Sequence, residues 1–142
     1  AEGSEVMVEA LMTGTEVTCG MYRTRDKEVV FPITEVVTDN EFFDYDAKYN
    51  DQVQEITPAR IPDEWAKAIQ NETRKIYTAI NAKGIIRVDY IIEPSGKINL
   101  LEVNTTPGMT ATSFIPQQVR AAGLDIRQVM TDIIDNELNS RQ

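Results

Sequence analysis

The sequence predicts an α+β fold, a mostly antiparallel sheet with helices packed on one side, and three observations carry that expectation. Short runs rich in Val, Ile and Thr alternate with turn residues, from Thr15-Glu16-Val17-Thr18-Cys19 to Ile98-Asn99-Leu100-Leu101. One long stretch beginning at Pro62 repeats its apolar residues at helical spacing. The remaining helical patterns cluster after residue 113, behind the last strand signals, rather than alternating with strands as a parallel sheet demands. The chain has 142 residues, 42% of them hydrophobic and 26% charged, enough to bury one core and too polar for a membrane span.

Glu5 to Leu11 and Thr15 to Tyr22 read as strands joined through Met12-Thr13-Gly14, and Glu28 to Val37 as a third whose Pro32 implies an edge or a bulge. Asp39 to Asp51, aromatic and acidic without period, reads as a structured loop of a length that is often functional. Pro62, Asp63 and Glu64 suit a first helical turn, with Trp65, Ile69, Ile76 and Ile80 on one face and Lys83-Gly84 as the stop. Ile85 to Ile92 and Lys97 to Val103 flank Pro94-Ser95-Gly96, a hairpin signal. Phe114 to Ala122 is expected as a short helix ended by Gly123, and Asp125 as the cap of a last helix whose core positions are Ile126, Val129, Met130, Ile133 and Ile134.

Composition excludes several functions. Lys plus Arg number 14 against 23 Asp plus Glu, a net charge of −9, so neither a nucleic acid nor an anionic membrane is an expected partner. Histidine is absent, which removes His-based triads and His-built zinc sites from these residues. Cys19 has no internal disulfide partner and is expected to be an inert buried thiol. A reduced intracellular compartment fits, and the opening Ala1-Glu2-Gly3-Ser4 suggests a domain cut from a longer protein.

The hairpin gathers the charged residues. With a two-residue turn at Ser95-Gly96, Asp89 faces Glu102 and Arg87 faces Asn104, all four on one face, while Ile86, Val88, Tyr90, Leu101 and Val103 point to the core. Two carboxylates directly opposite each other destabilise a sheet unless a cation lies between them. A divalent metal resolves the conflict, and Asn104 adds a neutral oxygen donor suited to Mg²⁺. The following Thr105-Thr106-Pro107-Gly108-Met109-Thr110 is a turn in which Gly108 can bring its backbone N–H close to a ligand.

Arg87-x-Asp89, then Glu102-x-Asn104-Thr105-Thr106-Pro107-Gly108-Met109-Thr110, closely resembles the C-terminal signature of the D-alanine-D-alanine ligases, members of the ATP-grasp superfamily. Val8-Glu9 with Gly14-x-Glu16, and the loop Phe43-Asp44-Tyr45-Asp46-Ala47-Lys48-Tyr49, match in the same order, so the resemblance spans residues 5 to about 117. It implies one C-terminal ATP-grasp domain over residues 1–142, with N-terminal and central domains upstream. It further implies a cytoplasmic ligase that joins two D-alanines through an acyl phosphate for peptidoglycan synthesis, with ATP as co-substrate and two Mg²⁺ ions that Mn²⁺ can replace.

By that resemblance Asp89, Glu102 and Asn104 hold the metal ions, and Arg87 and the Gly108 N–H stabilise the oxyanion of the tetrahedral intermediate. Glu9 lies beside the adenine, Glu16 accepts from the ribose hydroxyls, and Lys48 reaches the phosphates. Tyr49 helps close the loop, and Ser113 with the Phe114 backbone holds the carboxylate of the second D-alanine. Phe114 stands where the family more often has Leu. The parent is expected to be a homodimer and the isolated fragment inactive. Another ATP-grasp carboxylate-amine ligase and a non-catalytic nucleotide-binding module are the alternatives.

Overall fold

The computed structural model describes residues 14–38, 53–110 and 112–140. The strand expected over Glu5 to Leu11 and the loop expected over Asp39 to Asp51, with Glu9, Lys48 and Tyr49, lie outside the described residues. Six strands form one sheet: β1 (Thr15–Arg23), β2 (Glu28–Val30), β3 (Thr34–Thr38), β4 (Val53–Ile56), β5 (Ile85–Ile92) and β6 (Ile98–Asn104). The order is β4-β3-β1-β5-β6, with β2 also on β1, and every described pairing is antiparallel. Three helices among the described residues accompany it: α1 (Asp63–Ala79), α2 (Phe114–Ala121) and α3 (Ile126–Ser140).

The helices occupy both faces of the sheet, not one. Alternation along β1 sends Val17, Cys19 and Met21 to one side, where they pack with Ile86, Val88 and Tyr90 of β5 against Ile69 and Tyr77 of α1. Tyr22 and Ile85 point the other way and are covered by Ile115 and Val119 of α2 and Val129 of α3. The three apolar patterns looked alike in the sequence, which carries no sign of which side each helix takes. Because α2 and α3 cover only the Tyr22 end of their face, Glu16, Arg87 and Asp89 keep partial exposure beside them. Cys19 is fully buried as expected, and burial pushes its thiol up to about 12.

Pro32 splits the expected third strand in two. Val30 pairs with Met21 and Thr34 with Thr18, so the register slips by one residue across Phe31-Pro32-Ile33. A ring nitrogen without a hydrogen cannot continue a ladder. The Phe31 N–H reaches the Gly20 carbonyl at 2.9 Å instead, and the Gly20 N–H is taken by the side chain of Gln118, its Oε1 at 2.9 Å. Gln118 is fully buried; its Nε2 donates to the Thr18 carbonyl at 3.1 Å and to Thr34 Oγ1 at 3.0 Å. One side-chain amide therefore fills the gap that Pro32 leaves and fastens α2 to the sheet. Gly20 makes the close approach feasible, since a β-carbon there would collide with Ile115 Cδ1.

The β5–β6 hairpin reaches its expected register by a different route. Glu93 N–H bonds to the Lys97 carbonyl and Ile92 pairs with Ile98, so the connection is one residue longer than a Ser95-Gly96 two-residue turn, with Gly96 at φ +94°. That change alone would have turned every β6 side chain to the wrong face. A bulge between Asp89 and Tyr90 compensates: Tyr90 pairs with Leu100 whereas Asp89 pairs with Glu102. Leu101 is the extra residue and is 39% exposed rather than in the core.

Other departures are local. Val53–Ile56 forms a further strand, β4, paired with β3. Ile80 follows the last turn of α1 and is exposed, while Thr73 and Tyr77 fill the buried stripe. On α3, Val129 is buried, but Met130 and Ile134 face outward. Gly123 follows α2 at φ +76° and Asp125 Oδ1 accepts from the Arg127 N–H at 2.9 Å, capping α3, both as expected, whereas α1 ends at Ala79, ahead of the expected Lys83-Gly84 stop, with Asn81 at φ +52° just beyond it.

Candidate active site

Strand register builds the site. Arg87 lies opposite Asn104 and Asp89 opposite Glu102, while on the other flank Thr18 pairs with Asp89 and Gly20 with Arg87. Glu16 precedes Thr18 by two residues and shares its face. A pocket of about 150 Å³ opens there, lined by Glu16, Val17, Thr18, Val36, Asp89 and Phe114.

Arg87 is held in a fork. Its Nε and Nη2 donate to the two carboxylate oxygens of Asp89 at 3.1 and 3.2 Å, and its guanidinium lies over the Phe114 ring, 5.1 Å from the centroid. Phe114, the residue that departs from the usual Leu, therefore adds a face-on contact that an aliphatic side chain cannot supply. Both members of the ion pair are mostly buried, with side-chain exposures of 18% and 19%, so the pair is better shielded from solvent than an open surface bridge.

Negative charge nevertheless remains uncompensated. Burial raises the Glu16 carboxyl above its ordinary value, and the nearby charge of Asp89 raises it further. Glu102 is exposed, and Asn104 turns Oδ1 toward the Thr106 N–H at 2.9 Å, shaping the first turn after β6. Among the described residues no three Asp, Glu or Cys side chains gather into a ready metal cluster. The donor chemistry still fits Mg²⁺: two carboxylates and an amide on facing strands, hard oxygens beside an acid already destabilised by its neighbour's charge.

Gly108 and Ser113 come together across the turn before α2. A β-carbon on Gly108 would sit 3.0 Å from Ser113 Oγ, so glycine permits a close approach here. Ser113 occupies the cap position of α2 but makes no capping bond; its hydroxyl pairs with Thr110 Oγ1 at 2.7 Å. The structure thus brings Glu16, Asp89 and Phe114 around one pocket, with Arg87 held against Asp89 and Phe114 and with Glu102 and Asn104 opposite on the neighbouring strand β6. Thr18 was missed, although its spacing from Glu16 could have revealed it; Gln118 left no sequence signal beyond a polar residue among apolar ones.

The raised Glu16 carboxyl gives a signed expectation. With its folded value above the usual 4.5, the folded chain binds more protons than the unfolded one, and stability falls as pH rises through that interval. Glu16→Gln should therefore unfold at a higher temperature than the unsubstituted protein at pH 7, and the gain should vanish below about pH 4. Thermal unfolding across pH checks it; a gain that persists in acid would contradict it.

Among the described residues, then, a six-stranded antiparallel sheet carries an acid-and-arginine face beside a glycine turn. The family model described as "D-ala D-ala ligase C-terminus" matches residues 2–135, and the chain belongs to that family. A D-alanine–D-alanine ligase of Bacteroides fragilis is 70% identical over 137 residues, covering 96% of this chain and 42% of the relative. The crystal structure of the Bacillus anthracis D-alanine–D-alanine ligase complexed with ATP superposes with a TM-score of 0.69 at 32% identity, over 90% of this chain and 41% of that one. The VanG D-Ala:D-Ser ligase of Enterococcus faecalis gives 0.69 at 36% identity, over 86% of this chain and 36% of that one. The chain thus spans less than half the length of the relatives it matches. No described helix is long and apolar enough to cross a membrane.

Proposed function

We propose that this chain is the C-terminal, nucleotide- and metal-binding part of an ATP-dependent ligase of the cytoplasm. That enzyme joins D-alanine to a second D-alanine, and N-terminal and central domains elsewhere in the parent complete the site. The observation that carries the reading is the arginine-and-carboxylate face, Arg87 and Asp89 opposite Asn104 and Glu102, in a chain belonging to this ligase family. The first D-alanine carboxylate attacks the γ-phosphorus of ATP, ADP leaves, and an acyl phosphate forms. The amine of the second D-alanine then attacks the acyl carbon; the tetrahedral intermediate loses inorganic phosphate, and the amine proton departs to solvent.

The residues have distinct roles in that sequence. Arg87, oriented by Asp89 and Phe114, places positive charge where the acyl oxygen becomes an oxyanion, and the Gly108 N–H donates to the same oxygen. Ser113 and the Phe114 backbone receive the second D-alanine's carboxylate, and Glu16 accepts from the ribose hydroxyls. Asp89, Glu102 and Asn104 would hold Mg²⁺, which supplies Lewis-acid stabilisation of phosphate charge. Glu9 beside the adenine, Lys48 on the phosphates and Tyr49 in the covering loop complete the assignment.

The full-length protein tests the reading. With Mg·ATP, phosphate release should require D-alanine and be accompanied by the D-alanyl-D-alanine dipeptide, detected by mass spectrometry. Release with D-serine as the preferred second substrate would move the assignment to a D-Ala:D-Ser ligase. No release with any amino or hydroxy acid would overturn catalysis.

A further inference from the structure

Among the described residues, the one buried side-chain polar atom without a hydrogen-bond partner is Thr18 Oγ1. Thr18 is 2% exposed and lines the pocket between Glu16 and Phe114. Nearby buried hydroxyls are satisfied: Thr34 pairs with Thr57 at 2.6 Å, and Thr73 with Tyr90 at 2.7 Å and with the Ile69 carbonyl at 2.8 Å. The Thr18 carbonyl is satisfied too, by Gln118, which pins the backbone and leaves the residue no freedom to turn away. Asp89, its direct cross-strand neighbour, has its carboxylate turned to Arg87. A hydroxyl left unpaired in a buried position costs stability, and valine would fit the same strand position without that cost.

We infer that Thr18 is a nucleotide-contacting residue, its hydroxyl donating to an oxygen of the metal–phosphate group bound beside Asp89. The inference rests on the nucleotide-binding reading of this face. Place on the sheet selects the phosphate end of the nucleotide rather than the ribose. Glu16, proposed for the ribose, is opposite Ile91, two positions along β1, whereas Thr18 is opposite Asp89, the proposed metal ligand. The pocket of about 150 Å³, lined by Glu16, Val17, Thr18, Val36, Asp89 and Phe114, is too small for a whole nucleotide. The remainder lies along the open strand face.

The test uses the full-length protein and its Thr18→Val and Thr18→Ser variants, titrated calorimetrically with Mg·ADP and separately with adenosine, alongside thermal unfolding without ligand. Thr18→Val should bind Mg·ADP about tenfold more weakly, bind adenosine unchanged, and unfold at the same or a higher temperature; Thr18→Ser should restore Mg·ADP affinity. A role confined to the fold would lower the unfolding temperature and leave affinity intact, and that result would overturn the inference. Equal weakening toward adenosine would also overturn it, placing the contact on the ribose. Unsubstituted protein that fails to bind Mg·ADP would overturn the nucleotide reading itself, and the inference with it.

Discussion

Glu102→Gln in the full-length protein should lower the turnover of D-alanine-dependent ATP hydrolysis by about 100- to 1000-fold, with the unfolding temperature unchanged. Glu102 is exposed on β6 and no core contact depends on it, so the substitution removes charge without loosening the sheet. It is the cleanest probe of the proposed metal ligands. Asp89→Asn would break a largely buried ion pair and leave Arg87 without its partner, mixing a structural penalty with the catalytic one. The loss should come with a higher Mg²⁺ requirement, measured by phosphate release across a Mg²⁺ titration. Turnover within threefold of the parent would remove Glu102 from the chemistry.

The second large effect concerns stability. Gln118→Leu should destabilise the protein by about 3 kcal/mol, because it strands the Gly20 N–H and the Thr18 carbonyl in the interior and withdraws the donor to Thr34. Leucine keeps the volume, so the cost comes from the unpaired groups rather than from a cavity. Denaturant titration measures the total, and hydrogen exchange at the Gly20 amide, faster by about 100-fold, localises it. Because α2 begins beside Ser113 and carries Phe114 over Arg87, the same change should raise the KM for D-alanine more than that for ATP. An unaltered Gly20 amide would contradict the role given to Gln118.

Local signals in the sequence carried most of the fold. Pro62 with two acids, Gly123 after α2 and Asp125 before α3 each act within one helical turn, and each works as expected. The helix faces were harder, because an apolar stripe states that a helix is covered and not by which side of a sheet. Ile134 shows the same difficulty: Ile133 takes the inward position against the Tyr22 cluster, and its neighbour Ile134 turns to solvent.

The candidate site was legible because alternation along two strands forces Arg87, Asp89, Glu102 and Asn104 to share a face once the register is set. The register itself came out right through two offsetting departures, the longer turn and the Leu101 bulge, and no residue in the hairpin announces the second. Thr18 and Gln118 escaped notice because their importance is in what surrounds them. One is a threonine that nothing pairs, the other a glutamine that a distant proline makes necessary.

The most direct test of the account replaces Mg²⁺ with Fe²⁺ in the full-length protein and uses ascorbate and peroxide to cut the backbone beside the bound metal, with fragments mapped by mass spectrometry. Fe²⁺ occupies comparable oxygen-donor sites, and the hydroxyl radicals it generates act close to where they form. Nucleotide-dependent cuts beside Asp89 and across Glu102 to Asn104, lost in Glu102→Gln, are the result the account predicts. Nucleotide-dependent cutting confined to other segments, with this face intact, would contradict it.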